Sequence, residues 1–138
     1  MKRGQIKRTP FRTKQTAQRS LKKQADILWS QVIRLRAKNT CEWCGRQSGV
    51  MNAHHLFNRS ILHMRHNPEN GMCLCVRCHV WDSRHSAHQT PELFGQFLFK
   101  EKGHEWYYKM IADSQRYQKP DYNMEILYLK DLLKHLRG

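Results

Sequence analysis

Four cysteines stand as two pairs, Cys41 with Cys44 and Cys75 with Cys78, and two residues separate the members of each pair. Zinc takes four Cys or His ligands in a tetrahedron, and a two-residue gap lets both sulfurs of one turn reach the same ion. Two such pairs in one strongly basic chain point to a structural zinc. Residues 45–74 lie between them, more than a simple ribbon needs, which suits a ribbon carrying an inserted hairpin. Gly45 directly follows the first pair and helps the backbone fold under the metal. The chain has five cysteines, an odd number, and no apolar run of a secretory signal follows its basic start, which argues against a disulfide framework. Cys73 is left over, because its gap to Cys75 is wrong for a shared turn, and it reads as a small buried apolar residue on a strand.

Between the pairs lie Ala53-His54-His55 and Asn70, and His79 follows the last cysteine directly. Hydrolysis of a phosphodiester needs a nucleophilic water, a group to take its proton and a cation to offset charge on the phosphoryl and leaving oxygens. A neutral imidazole, with its pKa of about 6.5, suits the proton transfer at physiological pH. On a strand, residues 54 and 55 point to opposite faces. That divides the pair into a metal ligand and a base, although spacing alone does not say which is which. The plainer alternative is that both are packing residues or extra zinc ligands.

Ala53-His54-His55, Asn70 five residues before Cys75 and nine before His79, and the Cys75-x-x-Cys78-His79 ending together resemble the zinc-clamped HNH endonucleases common in bacteriophage and bacterial genomes. The resemblance is close over Cys41 to Ser83 and general in the flanks. It implies a β-hairpin and a following helix that grip one catalytic divalent ion, with magnesium or manganese expected. Carried over singly, it implies His54 and His79 as ligands to that ion and His55 as general base. Asn70 would tie down the loop between the strands and help orient His55. Some members place a further His one helical turn after the position of His79; this chain has Ser83 there.

The elements that must position these residues fit one small domain of 138 residues. The formal net charge of +14 and a pI near 10.0 are the footprint of a protein that meets a polyanion. Met1 to Lys23 carry Lys2, Arg3, Lys7, Arg8, Arg12, Lys14, Arg19, Lys22 and Lys23 and no acid. Residues 1–19 therefore read as a basic, disordered arm that orders on nucleic acid, with Lys7, Arg8, Arg12 and Lys14 as phosphate contacts, or else as a solubility tail. Leu21, Ala25, Leu28, Val32 and Leu35 form the stripe of an amphipathic helix over about 17–37 that packs on the core. Strands are predicted over Val50 to His54 and Met72 to Val76. The long loop between them offers Arg59 and Arg65 for phosphate contact, while His63 and His66 match no motif position. A short helix should run from His79 to about His85 with Trp81 facing inward. Helices follow from Thr90, as N-cap, to Lys102 and over Glu105 to Gln115. The last runs from Asp121 to about Leu136, its stripe of Tyr122, Ile126, Leu129, Leu133 and Leu136 being core or the face of a homodimer.

The expectation is an α+β protein: a ββα-metal hairpin clamped by a four-cysteine structural zinc, flanked by N- and C-terminal helices. Residues 20–138 form a single domain, with the core motif at 41–83 and the helical tail at 90–136. The resemblance implies a metal-dependent DNA endonuclease leaving 5′-phosphate and 3′-hydroxyl ends, working in the cytoplasm of a bacterial or phage-infected cell. The opposing reading is a zinc-dependent DNA-binding module without cleavage. The adjacent His54 and His55 speak against it, since binding alone needs no imidazole pair. Phosphate attraction carries no information on the sugar, so RNA stays open beside DNA. No stretch is long and apolar enough to span a membrane.

Overall fold

The computed structural model describes residues 13–138, so Lys7, Arg8 and Arg12 lie outside the described residues. The first helix, α1 (Lys14–Arg36), starts where the Thr13 hydroxyl accepts the Thr16 N–H at 3.2 Å, an N-cap that satisfies one orphan donor. Lys14 thus occupies the first helical turn, and 14–19, expected in the arm, are helical. α1 ends at Arg36, and the chain turns away through Lys38 and Asn39, both with positive φ, of 53° and 51°; the Asn39 N–H closes onto the Arg34 carbonyl at 2.9 Å.

Two short strands follow, β1 (Met51–His55) and β2 (Gly71–Cys75), paired antiparallel from Met51 opposite Cys75 to His55 opposite Gly71. The loop between them closes with a 3₁₀ turn (Pro68–Asn70), and β2 leads into a π-helical turn (Arg77–Trp81). That turn replaces the expected helix to about His85. It ends at Asp82, and Trp81 is 79% exposed rather than inward. Three helices complete the chain: α2 (Pro91–Lys102), α3 (His104–Gln115) and α4 (Tyr122–Arg137). Thr90 precedes α2, but its hydroxyl bonds back to Ser86 instead of capping the helix. The architecture is mixed α+β, and among the described residues no helix is long and apolar enough to cross a membrane.

α1 packs along α4, and the sheet rests on α1. The buried face of α1 is Ala25, Trp29, Val32 and Ile33, with Leu21, Leu28 and Leu35 only partly buried beside it. The leucine stripe therefore marks the edge of the face, and the larger Trp29 and Ile33 mark its centre. Ile126, Leu129 and Leu133 of α4 join the same core, while Leu136 is exposed. The apolar stripe of α4 is thus buried within the chain. Gly71 lets α1 come this close. A Cβ there would stand 2.5 Å from Ile33 Cδ1 and 2.6 Å from Trp29 Cζ2, inside van der Waals contact.

A charged cluster links α1, the loop and α4. Asp26 on α1 accepts Arg65 Nε at 2.6 Å and Nη2 at 2.9 Å. It also accepts His66 Nε2 at 2.7 Å, while His66 Nδ1 reaches Glu125 on α4 at 2.9 Å. Both ring nitrogens of His66 face carboxylates, so the imidazolium, with two donors, is the form that fits. Burial opposes that charge, but the two carboxylates prevail and raise the His66 pKa. Burial likewise opposes the Asp26 carboxylate, and the hydrogen bonds from His66 and Arg65 hold it well below the usual range.

Two outcomes follow from this packing. Gly71→Ala should destabilise the fold by about 1–3 kcal/mol, as overpacking does, read by urea denaturation and by a shift in Trp29 fluorescence. His66→Phe, which removes both donors, should cost about 1–3 kcal/mol at pH 6. The His66 contribution is complete below the unfolded pKa of about 6.5 and is lost as pH rises through the raised folded value. The difference between parent and variant in urea should therefore shrink from pH 6 to pH 9; a constant difference would show His66 to be neutral in the fold.

Candidate metal centres and catalytic cleft

The first centre is built of sulfur. Cys41, Cys44, Cys75 and Cys78 place their Sγ atoms within 4.8 Å of one another, with Cys44 and Cys75 at 3.7 Å. The Cys41–Cys44 turn is closed by the Gly45 N–H to the Cys41 carbonyl at 2.9 Å, with Gly45 at φ +81°, a conformation natural to glycine. Glu42 fastens this turn to β2: its N–H donates to the Cys73 carbonyl at 2.9 Å, and its carboxylate accepts the Cys73 N–H at 2.7 Å. Cys75 ends β2, and Cys78 lies in the π-helical turn, donating its N–H to the Cys75 sulfur at 3.5 Å.

Burial raises the Cys78 thiol, and the neighbouring sulfurs add to the shift. Burial opposes ionisation of Cys41 too, but N–H groups of Cys44, Cys75 and Trp43 bring it down to about 7. Four crowded thiols repel as thiolates, and a divalent cation among them removes that penalty. The four could hold a metal such as zinc. Cys73 stays outside the group, wholly buried on β2, its thiol pushed up to about 11 mainly by burial.

The second centre is built of imidazole. His54 of β1, His79 of the π-helical turn and His88 of the return loop bring their ring nitrogens within 4.8 Å of one another, and the Nε2 atoms of His79 and His88 are 3.2 Å apart. The return loop is seated by the Ala87 N–H on the Cys78 carbonyl at 2.8 Å and the His88 N–H on the His79 carbonyl at 3.1 Å. So the chain that leaves the sulfur centre folds back to supply the third imidazole, which Ser83 lacked. His88 is not singled out by the sequence, because eight residues separate it from His79 and no helical or strand period marks it. Asn52, on the same face of β1 as His54, places its amide Nδ2 3.1 Å from His79 Nδ1. With the amide exchanged end for end, Oδ1 would accept Nδ1–H and leave Nε2 directed at the cluster. Burial first, and then the nearby His79 and His88, lower His54 to about 3, so the ring is neutral and its lone pair carries no proton.

His55 points the other way from its neighbour. Its ring stacks on Trp29, with centroids 3.9 Å apart and planes 10° from parallel, and its Nε2–H reaches the Arg65 carbonyl at 2.9 Å. Burial lowers its pKa and keeps it neutral, and with Nε2 occupied as a donor, Nδ1 is the free acceptor. His54, His55, His79 and His88 all line one cleft of about 790 Å³, together with Asn58 and Arg59.

Asn70 is fully buried and holds the loop. Its Oδ1 accepts the Phe57 N–H at 2.6 Å, and its Nδ2 donates to the carbonyls of Phe57 at 3.3 Å and Met64 at 3.1 Å. It touches the loop that carries the Arg65 carbonyl rather than His55 itself. Arg59 is exposed on the cleft wall, whereas the Arg65 guanidinium is paired with Asp26. Lys14 is exposed on α1. His63 Nε2–H donates to the Asp113 carbonyl at 2.7 Å, and with His66 it stands apart from both centres. No protein-family model, curated protein or solved structure matches this chain.

Proposed function

We propose that this protein is a metal-dependent DNA endonuclease of the zinc-clamped HNH kind, with His55 as general base and His54, His79 and His88 holding the catalytic ion. The observation that carries this reading is the convergence of three imidazoles and a separately oriented fourth in one cleft, apart from the four-sulfur centre. A DNA-binding module held by zinc has no use for the second centre. In this reading Cys41, Cys44, Cys75 and Cys78 hold a structural zinc that closes the ββα hairpin.

His55 takes the proton of the attacking water at Nδ1, while the Arg65 carbonyl keeps Nε2–H in place and fixes the tautomer. His54, His79 and His88 would hold a divalent ion, which when bound would supply positive charge for the phosphoryl and leaving oxygens. Arg59, exposed at the cleft, steers the phosphate by charge, and the overall +14 brings the polyanion to it. The leaving group is the 3′-oxygen, giving 5′-phosphate and 3′-hydroxyl ends.

The donor set refines the metal. Three neutral imidazoles with no carboxylate in the group are poor for magnesium, which prefers oxygen ligands in an octahedron. Manganese fits better of the two ions expected, and cobalt, nickel and zinc bind imidazole more tightly still.

Two measurements test the reading. Metal analysis of purified protein should give one tightly held zinc per chain, and Cys41→Ser or Cys78→Ser should abolish cooperative unfolding, because zinc binding energy is folding energy in so small a domain. In the second, His55→Ala should lower the cleavage rate on the order of 100- to 10,000-fold with DNA affinity and metal content intact. His54→Ala, His79→Ala and His88→Ala should instead lose the catalytic ion and regain part of the rate at high manganese or nickel. A parent that binds DNA yet leaves supercoiled, linear and branched DNA uncut with each of these ions is a binding module, and cleavage of RNA alone would move the substrate.

A further inference from the structure

His55 is touched from two sides, and both sides are fixed by α1. Trp29 supplies the stacking face and is itself anchored by Nε1–H to the Asn67 carbonyl at 3.0 Å. The other side is the Arg65 carbonyl, which belongs to the peptide unit joining Arg65 to His66. The side chains on both flanks of that peptide are planted on one carboxylate: Asp26 Oδ1 accepts Arg65 Nε at 2.6 Å and His66 Nε2 at 2.7 Å. Arg65 Nη1 also donates to the Arg59 carbonyl at 3.2 Å, so the same guanidinium braces the residue exposed on the cleft wall.

We propose that Asp26, acting through Arg65 and His66, is a positioning residue for His55: it holds the peptide whose carbonyl orients the base. Its place in catalysis rests on the nuclease reading, while the anchoring stands on these contacts alone. The loop over residues 56–70 has no strand pairing of its own, so without anchored side chains its carbonyls would sample several directions. A carbonyl that wanders by an ångström leaves the ring free to turn about χ2 and to offer either nitrogen to the water, and misplacement of that size is worth up to about 100-fold in rate. Charge explains why an ion pair serves here. A bidentate guanidinium on a carboxylate fixes direction as well as distance, which one neutral hydrogen bond does not. Three of the side-chain ties on the loop divide the work: Asn70 ties Phe57 to Met64, Trp29 holds Asn67, and Asp26 holds the 65–66 peptide.

The test compares Asp26→Asn with the parent in single-turnover cleavage, in DNA binding as a function of salt, and in NMR of protein carrying ¹⁵N-labelled histidine. Asp26→Asn should lower the cleavage rate on the order of 10- to 100-fold with KM, DNA affinity, its salt slope and zinc content unchanged. The hydrogen-bonded Nε2 proton of His55, assigned in the parent by its loss in His55→Ala, should disappear. If Asp26→Asn does not fold, Arg65→Ala takes its place, because it leaves the His66 bonds to Asp26 and Glu125 intact; Arg65→Lys should then retain more of the rate than Arg65→Ala. A folded variant that cuts as fast as the parent, or keeps the Nε2 proton, overturns the proposal. So does a loss of affinity and salt slope at unchanged rate, which would make Arg65 a phosphate contact. Should the parent not cut DNA at all, the nuclease reading falls by itself, and the Nε2 proton alone decides the anchoring: present in the parent and lost in the variant supports it, present in both overturns it.

Discussion

Two strands of five residues cannot hold a site by themselves. A lone two-stranded hairpin is marginal in water, yet β1 and β2 must keep His54 and His55 at fixed positions. The rest of the structure answers this constraint. At one end of the hairpin, Cys75 passes directly from β2 into the sulfur centre, and Glu42 bonds the Cys41–Cys44 turn to the backbone of β2. At the other, α1 lies against the sheet over Gly71, where the missing side chain admits Trp29 and Ile33. α4 then covers α1, so the longest apolar faces of the chain are spent on bracing ten residues of sheet.

Strand alternation explains how two adjacent histidines can have unlike surroundings. Asn52 and His54 share one face of β1, and there they meet His79 and His88. His55 leaves by the opposite face and meets the aromatic ring of α1. Both remain on the wall of one cleft because they stand at the end of the strand, where its two faces open to the same space. The sequence alone divides the pair but not the duties. In the structure only His54 has imidazole partners, whereas His55 has an aromatic face and a backbone carbonyl.

How much of this was legible beforehand depends on the range of the interaction. The cysteine turns, the two strands and the four helices follow from local spacing, and their bounds in the structure differ by a few residues. The buried state of Cys73 was likewise readable from its misfit to the turn. Interactions between distant segments were not. His88 reaches the cluster by a loop without period, and Trp29 reaches His55 over a glycine whose role is visible only once α1 is in place. Arg65 shows the same limit from the other side. In a basic chain an arginine in a long loop reads as a phosphate contact, but Asp26, distant in sequence, claims it. Trp81 reads as core by residue type, yet the π-helical turn directs it to solvent because Cys78 and His79 take the inward positions.

Electrostatics separates the two halves of the molecule near the cleft. On the hairpin, burial keeps His54, His55 and His79 neutral, which leaves lone pairs for a cation and for a proton. Behind the loop, the acids Asp26 and Glu125 reverse that tendency for His66 and hold it charged. The same residue type is therefore neutral on one side and a structural cation on the other, and the difference lies in two carboxylates from α1 and α4. In a chain with 25 Lys and Arg against 11 Asp and Glu, acids are scarce, and two of them, themselves partly exposed, are committed to one buried ring. The residues that line the cleft include no carboxylate, so the net positive charge of the chain is not opposed there.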